Sequence, residues 1–180
     1  MTLVVPDAIS FEQAIALTEN LLTQLATGQI TEAEAANVVA QLVKTENGAR
    51  GLFVTYLPDP GSVADNPSPE LIAALRSSPA IVAELMVKNL VMSTAMVIHH
   101  QRQQSPAEAE GSKRVQSRSA HLLKALQLPE VDQRAREMLT SLTTGDGPYQ
   151  AFLQRWGYDA EQKQAMAEIL RTTIAASPVA

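Results

Sequence analysis

No cysteine occurs in this chain of 180 residues, so disulfides, thiolate nucleophiles and thiolate metal ligands are excluded. Three histidines leave little from which to build a zinc site, whose closed form takes four nitrogen, sulfur or carboxylate ligands. Glu-x-x-His is absent, which removes the di-iron site that helical bundles carry. The chain also has no His-Glu-x-x-His, no Walker loop and no Gly-x-Gly-x-x-Gly, the spacings that would announce a metalloprotease or a nucleotide-binding loop. Neither a metal nor a cofactor is expected. Positive charge is in short supply too, with 14 basic residues against 19 acidic ones and a net charge of −5. That balance opposes sequence-blind binding to nucleic acid or to an anionic membrane, so any basic site has to be local.

What is present is apolar material, 46% of the chain, enough for the core of one helical domain over residues 1–180. The start, Met1-Thr-Leu-Val-Val-Pro6-Asp7, has neither the basic n-region nor the apolar run of a signal peptide, and the expected compartment is the cytoplasm. Pro79 to Ile98 has the length of a membrane span. Glu84, Lys88 and Asn89 sit within it, and a charge in lipid costs about 2.5–3.5 kcal/mol on insertion scales. It reads as a buried core helix, with no membrane insertion.

Helix-start signals recur along the chain. Ser10 with Gln13, and Thr31 with Glu34, form capping boxes that open two helices. Together they predict an N-terminal helical hairpin over 10–47, closed by the stop signal Asn47-Gly48. Leu52 to Leu57 is β-branched and aromatic enough for a strand but has no partner strand, so helix and extended segment both stay open. Residues 58–67 are dense in turn formers and predict a loop. Beyond it, Ser68-Pro69, Ser78-Pro79 and Ser105-Pro106 each place proline at the first helical position. Pro129 opens another helix, Gly157 ends a short aromatic one, and Asp159 with Gln162 caps the last. The expected fold is all-α, an irregular bundle of about eight helices, with its main body over 68–176.

Three constellations stand out. On the central helix, Asn89, Ser93 and His100 form a polar line through an otherwise apolar surface, and buried polar groups need partners. Either the core supplies them or a ligand does, with His99 or His100 serving a haem or pigment pocket lined by Met86, Met92 and Met96. On the next helix Lys113, Arg114, Ser117, Arg118, His121 and Lys124 share one face, opposite Val115, Leu122, Leu123 and Leu126. This face can meet solvent, the protein's own acids or an acidic partner. The third constellation is Tyr149, Phe152, Trp156 and Tyr158, four of the seven aromatics in the chain, suited to core or interface.

Arg114 and His121, with Ser117 between them, resemble the Arg-x(4–6)-His motif of the HEPN family of helical-bundle ribonucleases. The resemblance implies acid–base and electrostatic roles for these side chains at an RNA 2′-hydroxyl and phosphate. Gly48-Ala-Arg-Gly51 fits the loop of a KH domain, but that domain needs a three-stranded sheet not written here. The stretches Gly48-Ala-Arg-Gly51-Leu-Phe-Val-Thr-Tyr56, Met92-Ser-Thr-Ala-Met96 and Trp156-Gly-Tyr-Asp159 are similar to small cyanobacterial proteins of unassigned function, a likeness that implies no activity. The residues favour a non-enzymatic interaction protein, an adaptor, assembly factor or regulator. Its partner would be another protein or a second copy, met through Lys113, Arg114, Arg118, His121, Lys124, Tyr149, Phe152 and Trp156. The alternatives are the ribonuclease and the ligand-binding protein.

Overall fold

A computed structural model describes residues 3–175, and among them the chain is all-α. Nine helices follow in order: α1 Phe11–Ala26, α2 Glu32–Leu42, α3 Glu46–Tyr56, α4 Pro69–Arg76, α5 Pro79–Arg102, α6 Pro106–Leu126, α7 Pro129–Thr144, α8 Gln150–Trp156 and α9 Ala160–Ala175. Residue 176, where the main bundle was expected to end, lies outside the described residues.

The caps form where the sequence places them. Ser10 Oγ accepts from the Gln13 N–H at 3.2 Å while the Ser10 N–H donates to Gln13 Oε1 at 2.9 Å. Thr31 and Glu34 repeat the exchange at 3.2 and 2.8 Å. Such caps hold a helix start by roughly 0.5–2 kcal/mol each. The three Ser-Pro pairs put Pro69, Pro79 and Pro106 at the first residue of α4, α5 and α6.

The expectation for Asn47-Gly48 is corrected. The second helix ends at Leu42, and these two residues lie in the first turn of α3, whose N-cap Thr45 accepts from the Gly48 N–H at 3.1 Å. The connection is so short that a Cβ on Gly48 would overlap the Leu42 carbonyl oxygen. Leu52 to Leu57, open between strand and helix, forms the second half of α3 and its C-cap, with Leu52, Phe53, Tyr56 and Leu57 all buried. Tertiary contact overrides β propensity at this point. A Cβ on Gly51 would collide with the Ala14 methyl group and come within 3.0 Å of the Ile15 nitrogen, so α1 and α3 meet backbone to backbone at a position only glycine allows.

The chain divides into two compact units, one up to Leu85 and one from Met86. In the first, α1 packs chiefly on α3 and α2 on α4. In the second, α7 and α6 pack on α9, and α8 lies against α7. The second unit's core is built from Met86, Leu90, Leu122, Leu123, Leu126, Met138, Met166 and Leu170, all buried. Among the described residues α5 alone is long and apolar enough to cross a membrane: an 18-residue window has mean hydropathy 1.7, and half of that window is buried. Met86 is sealed whereas Met92 and Met96 are only half-buried.

Gly51→Ala is expected to lower stability by about 1–3 kcal/mol through overpacking, read as a lower urea midpoint at unchanged slope. Gly111→Ala on α6, where an added Cβ meets nothing within 4 Å, is expected to raise stability by roughly 0.5–1 kcal/mol. Equal effects of the two substitutions would remove the close-approach account.

Candidate functional site

The polar line on α5 resolves into separate groups. Ser93 is buried, and its hydroxyl donates to the carbonyl oxygens of Asn89 at 2.7 Å and Leu90 at 3.0 Å. Its proton is therefore taken up by its own helix. Asn89 and His100 are half-buried and stand about 16 Å apart along the axis at 1.5 Å per residue. They do not converge on one ligand atom. His99 is exposed and meets His100 edge to face, with ring centres 5.4 Å apart.

The groups that α5 does engage were missed in the sequence reading. Gln116 of α6 donates to Thr94 Oγ1 at 2.8 Å, and Gln162 of α9 donates to the Ala95 carbonyl at 3.1 Å. Gln162 also caps α9, taking the Asp159 N–H at 3.1 Å while its own N–H donates to Asp159 Oδ1 at 2.9 Å. The Asp159–Gln162 pairing was visible as a cap; its reach across to α5 was not.

Two cations on α5 then fix where the aromatic segment runs. Lys88 Nζ sits 5.8 Å from the centre of the Tyr149 ring and 5.5 Å from that of Phe152. At the far end Arg102 pairs with both Asp159 and Glu161. These ion pairs are largely solvated, so their net energy is small and their effect is positional. Arg102 holds the Asp159 carboxyl below its ordinary value of 3.8, helped by the Gln162 backbone hydrogen bond. These two anchors bracket α8 and the turn that follows it. Tyr149 and Leu153 are buried, Phe152 is partly so, and Tyr149 and Tyr158 flank its ring at 6.4 Å. Burial pushes the Tyr158 hydroxyl up to about 12. Trp156, the sole tryptophan of the chain, is 53% exposed. Arg155 beside it is exposed and forms no ion pair among the described residues.

On α6, Lys113, Arg114, Ser117, His121 and Lys124 are exposed, and Lys113 pairs with Glu110 at 2.6 Å. Arg118 departs from the expected face, being only 5% exposed. At 100° per residue it lies about 40° from Leu122, on the margin of the apolar stripe, and is drawn in with it. The surface open to a partner is thus smaller than the sequence reading drew, without Arg118 and without Tyr149.

Charge is unevenly divided. Residues 1–85 hold three basic and ten acidic side chains, and residues 86–180 hold eleven and nine. In the acidic first unit an open cleft of about 610 Å³ lies between α1, the end of α3 and the loop after it, lined among others by Glu19, Leu22, Ala26, Thr55, Asp59 and Val63. A second, of about 390 Å³, runs along α2 past Ile30, Glu34, Asn37 and Gln41. Among the described residues no group of three or more His, Asp or Glu side chains is placed to hold a metal ion.

A family model described as uncharacterised conserved protein UCP020893 matches residues 10–173. No curated protein and no solved structure matches the chain.

The Asp159 shift has a defined pH consequence. Because the folded state lowers this pKa, the contribution is present above 3.8 and is lost as pH falls through the lower folded value. Asp159→Asn is therefore expected to flatten part of the fall in thermal midpoint below about pH 4. A fall of unchanged slope in the variant would show that the Arg102 contact carries no linkage.

Proposed function

We propose that this chain, which belongs to the family of uncharacterised conserved proteins whose model spans it, is a non-enzymatic helical interaction module. The observation that carries this reading is the exposed Trp156 with Arg155, exposed and without an ion pair among the described residues, beside it. Tryptophan and arginine are the side chains most enriched where binding energy concentrates at protein interfaces. A large indole left in water on a well-packed bundle forgoes burial worth several kcal/mol at about 25 cal/mol per Å². Covering it is what a partner would gain. The exposed cations Lys113, Arg114 and Lys124 on α6 add a second contact surface, suited to steering an acidic protein rather than to carrying affinity. Cytoplasmic location and kinship with small cyanobacterial proteins belong to the same proposal and add no activity to it.

The measurement is affinity capture from the native cell with wild type, Trp156→Ala and Lys113→Glu/Lys124→Glu side by side. A partner retained by wild type and lost with Trp156→Ala is the expected result, the cation variant mainly slowing association. Identical retention on all three would end the proposal.

Arg114, Ser117 and His121 are all exposed on one side of α6, which keeps the HEPN-like ribonuclease as the second reading. RNA cleavage by wild type that disappears in His121→Ala would replace the interaction module with the enzyme. Equal background from both removes it.

A further inference from the structure

Arg155 and Trp156 stand at the end of α8 as an exposed cation and an exposed aromatic ring, adjacent in sequence and directed by the anchors at Lys88 and Arg102. The same chain carries a recess of matching chemistry. The cleft between α1, the end of α3 and the following loop has apolar walls from Leu22, Ala26 and Val63 and the exposed carboxylate of Glu19, with Asp59, whose Oδ2 accepts from the Gly61 N–H at 2.8 Å, at its rim. Its volume of about 610 Å³ falls within the roughly 300–1,000 Å³ of sites that enclose compact groups. It lies in the unit where acids outnumber bases ten to three, so the local field favours a cation. An aromatic ring with a guanidinium next to it is what such a recess takes: the ring fills the apolar volume and the cation meets the Glu19 carboxylate.

We infer that the cleft is a docking site for Arg155 and Trp156 of a second copy of this chain. The inference rests on the reading of Trp156 as a docking anchor and names its occupant. Two copies related by a two-fold axis offer two such contacts at once, and ring and recess bury each other reciprocally. If the axis does not close, the same head-to-tail contact propagates into longer assemblies.

The chain's single tryptophan reports on the contact directly. Intrinsic fluorescence and acrylamide quenching of the full-length protein are followed over a dilution series at low and high salt, with sedimentation velocity on the same samples. Concentrated protein at low salt is expected to emit at shorter wavelength and to resist quenching, and both dilution and salt should reverse this as assemblies give way to monomers. Glu19→Lys and Arg155→Glu should each raise the half-association concentration about tenfold or more, and the two together in one chain should restore it. Both positions are on the surface, and unchanged helical circular dichroism shows that each variant folds. Trp156→Ala, read by sedimentation, should be monomeric. Emission and quenching that do not change with concentration overturn the inference, as does assembly that persists in Trp156→Ala. A chain that stays monomeric yet loses its cellular partner with Trp156→Ala would sink the self-docking alone and leave the interaction module standing.

Discussion

The Ala95 carbonyl, at the C-terminal limit of the buried part of α5, receives a hydrogen bond from Gln162 Nε2 at 3.1 Å. The same amide closes the first turn of α9 through Asp159. A buried side chain that bonds in two directions costs little only if both partners are in place, because a lost partner leaves a desolvated polar atom worth about 1–3 kcal/mol. That condition sets the start of α9 against α5, and with it the reach of Arg102 to Asp159 and Glu161. The short segment between Gly145 and Asp159 then has little freedom left. It is tied to α5 by Lys88 near its start and by Arg102 at its end, with Tyr149 buried and Trp156 left exposed.

Core polarity and surface chemistry are thus coupled within the second unit. Thr94, Ala95, Gln116 and Gln162 consume the hydrogen-bonding capacity of the middle of α5 internally, together with the back-bonded Ser93. A ligand has little to address there. The unspent chemistry is at the ends and on the outside: the exposed side of α6 and the tip of α8. The first unit differs in charge. Its helices leave recesses at the surface, and its charge is predominantly acidic.

The features legible in the sequence were those decided within one turn of helix. Ser10 with Gln13, Thr31 with Glu34, Asp159 with Gln162 and the prolines that open α4, α5 and α6 depend only on near neighbours, and each was readable. Features decided across space were not. Asn47-Gly48 reads as a stop until the Leu42 carbonyl and the Thr45 cap are seen to demand glycine at that place. The β-branched run after Gly51 stays open between helix and extended segment because nothing in it records that Ala14 of α1 lies against that glycine. Arg118 shares the helical wheel with exposed cations, and only the width of the buried stripe separates it from them. Tyr149 and Trp156 are seven residues apart on the same face, yet one is 3% and the other 53% exposed. The difference is that α8 travels about 10 Å between them, and spacing does not say where the neighbouring core stops.

The graded burial of the methionines carries a consequence for a protein without thiols. Lacking cysteine, the chain has only thioether sulfur to meet an oxidant. Met86, Met138 and Met166 are completely enclosed, while Met92 and Met96 are half-open on one side of α5. Sulfoxide formation turns an apolar side chain polar and tracks access to the sulfur. Among the described methionines, oxidative ageing would therefore begin on one stripe of α5, making that stripe wettable before the enclosed core is touched.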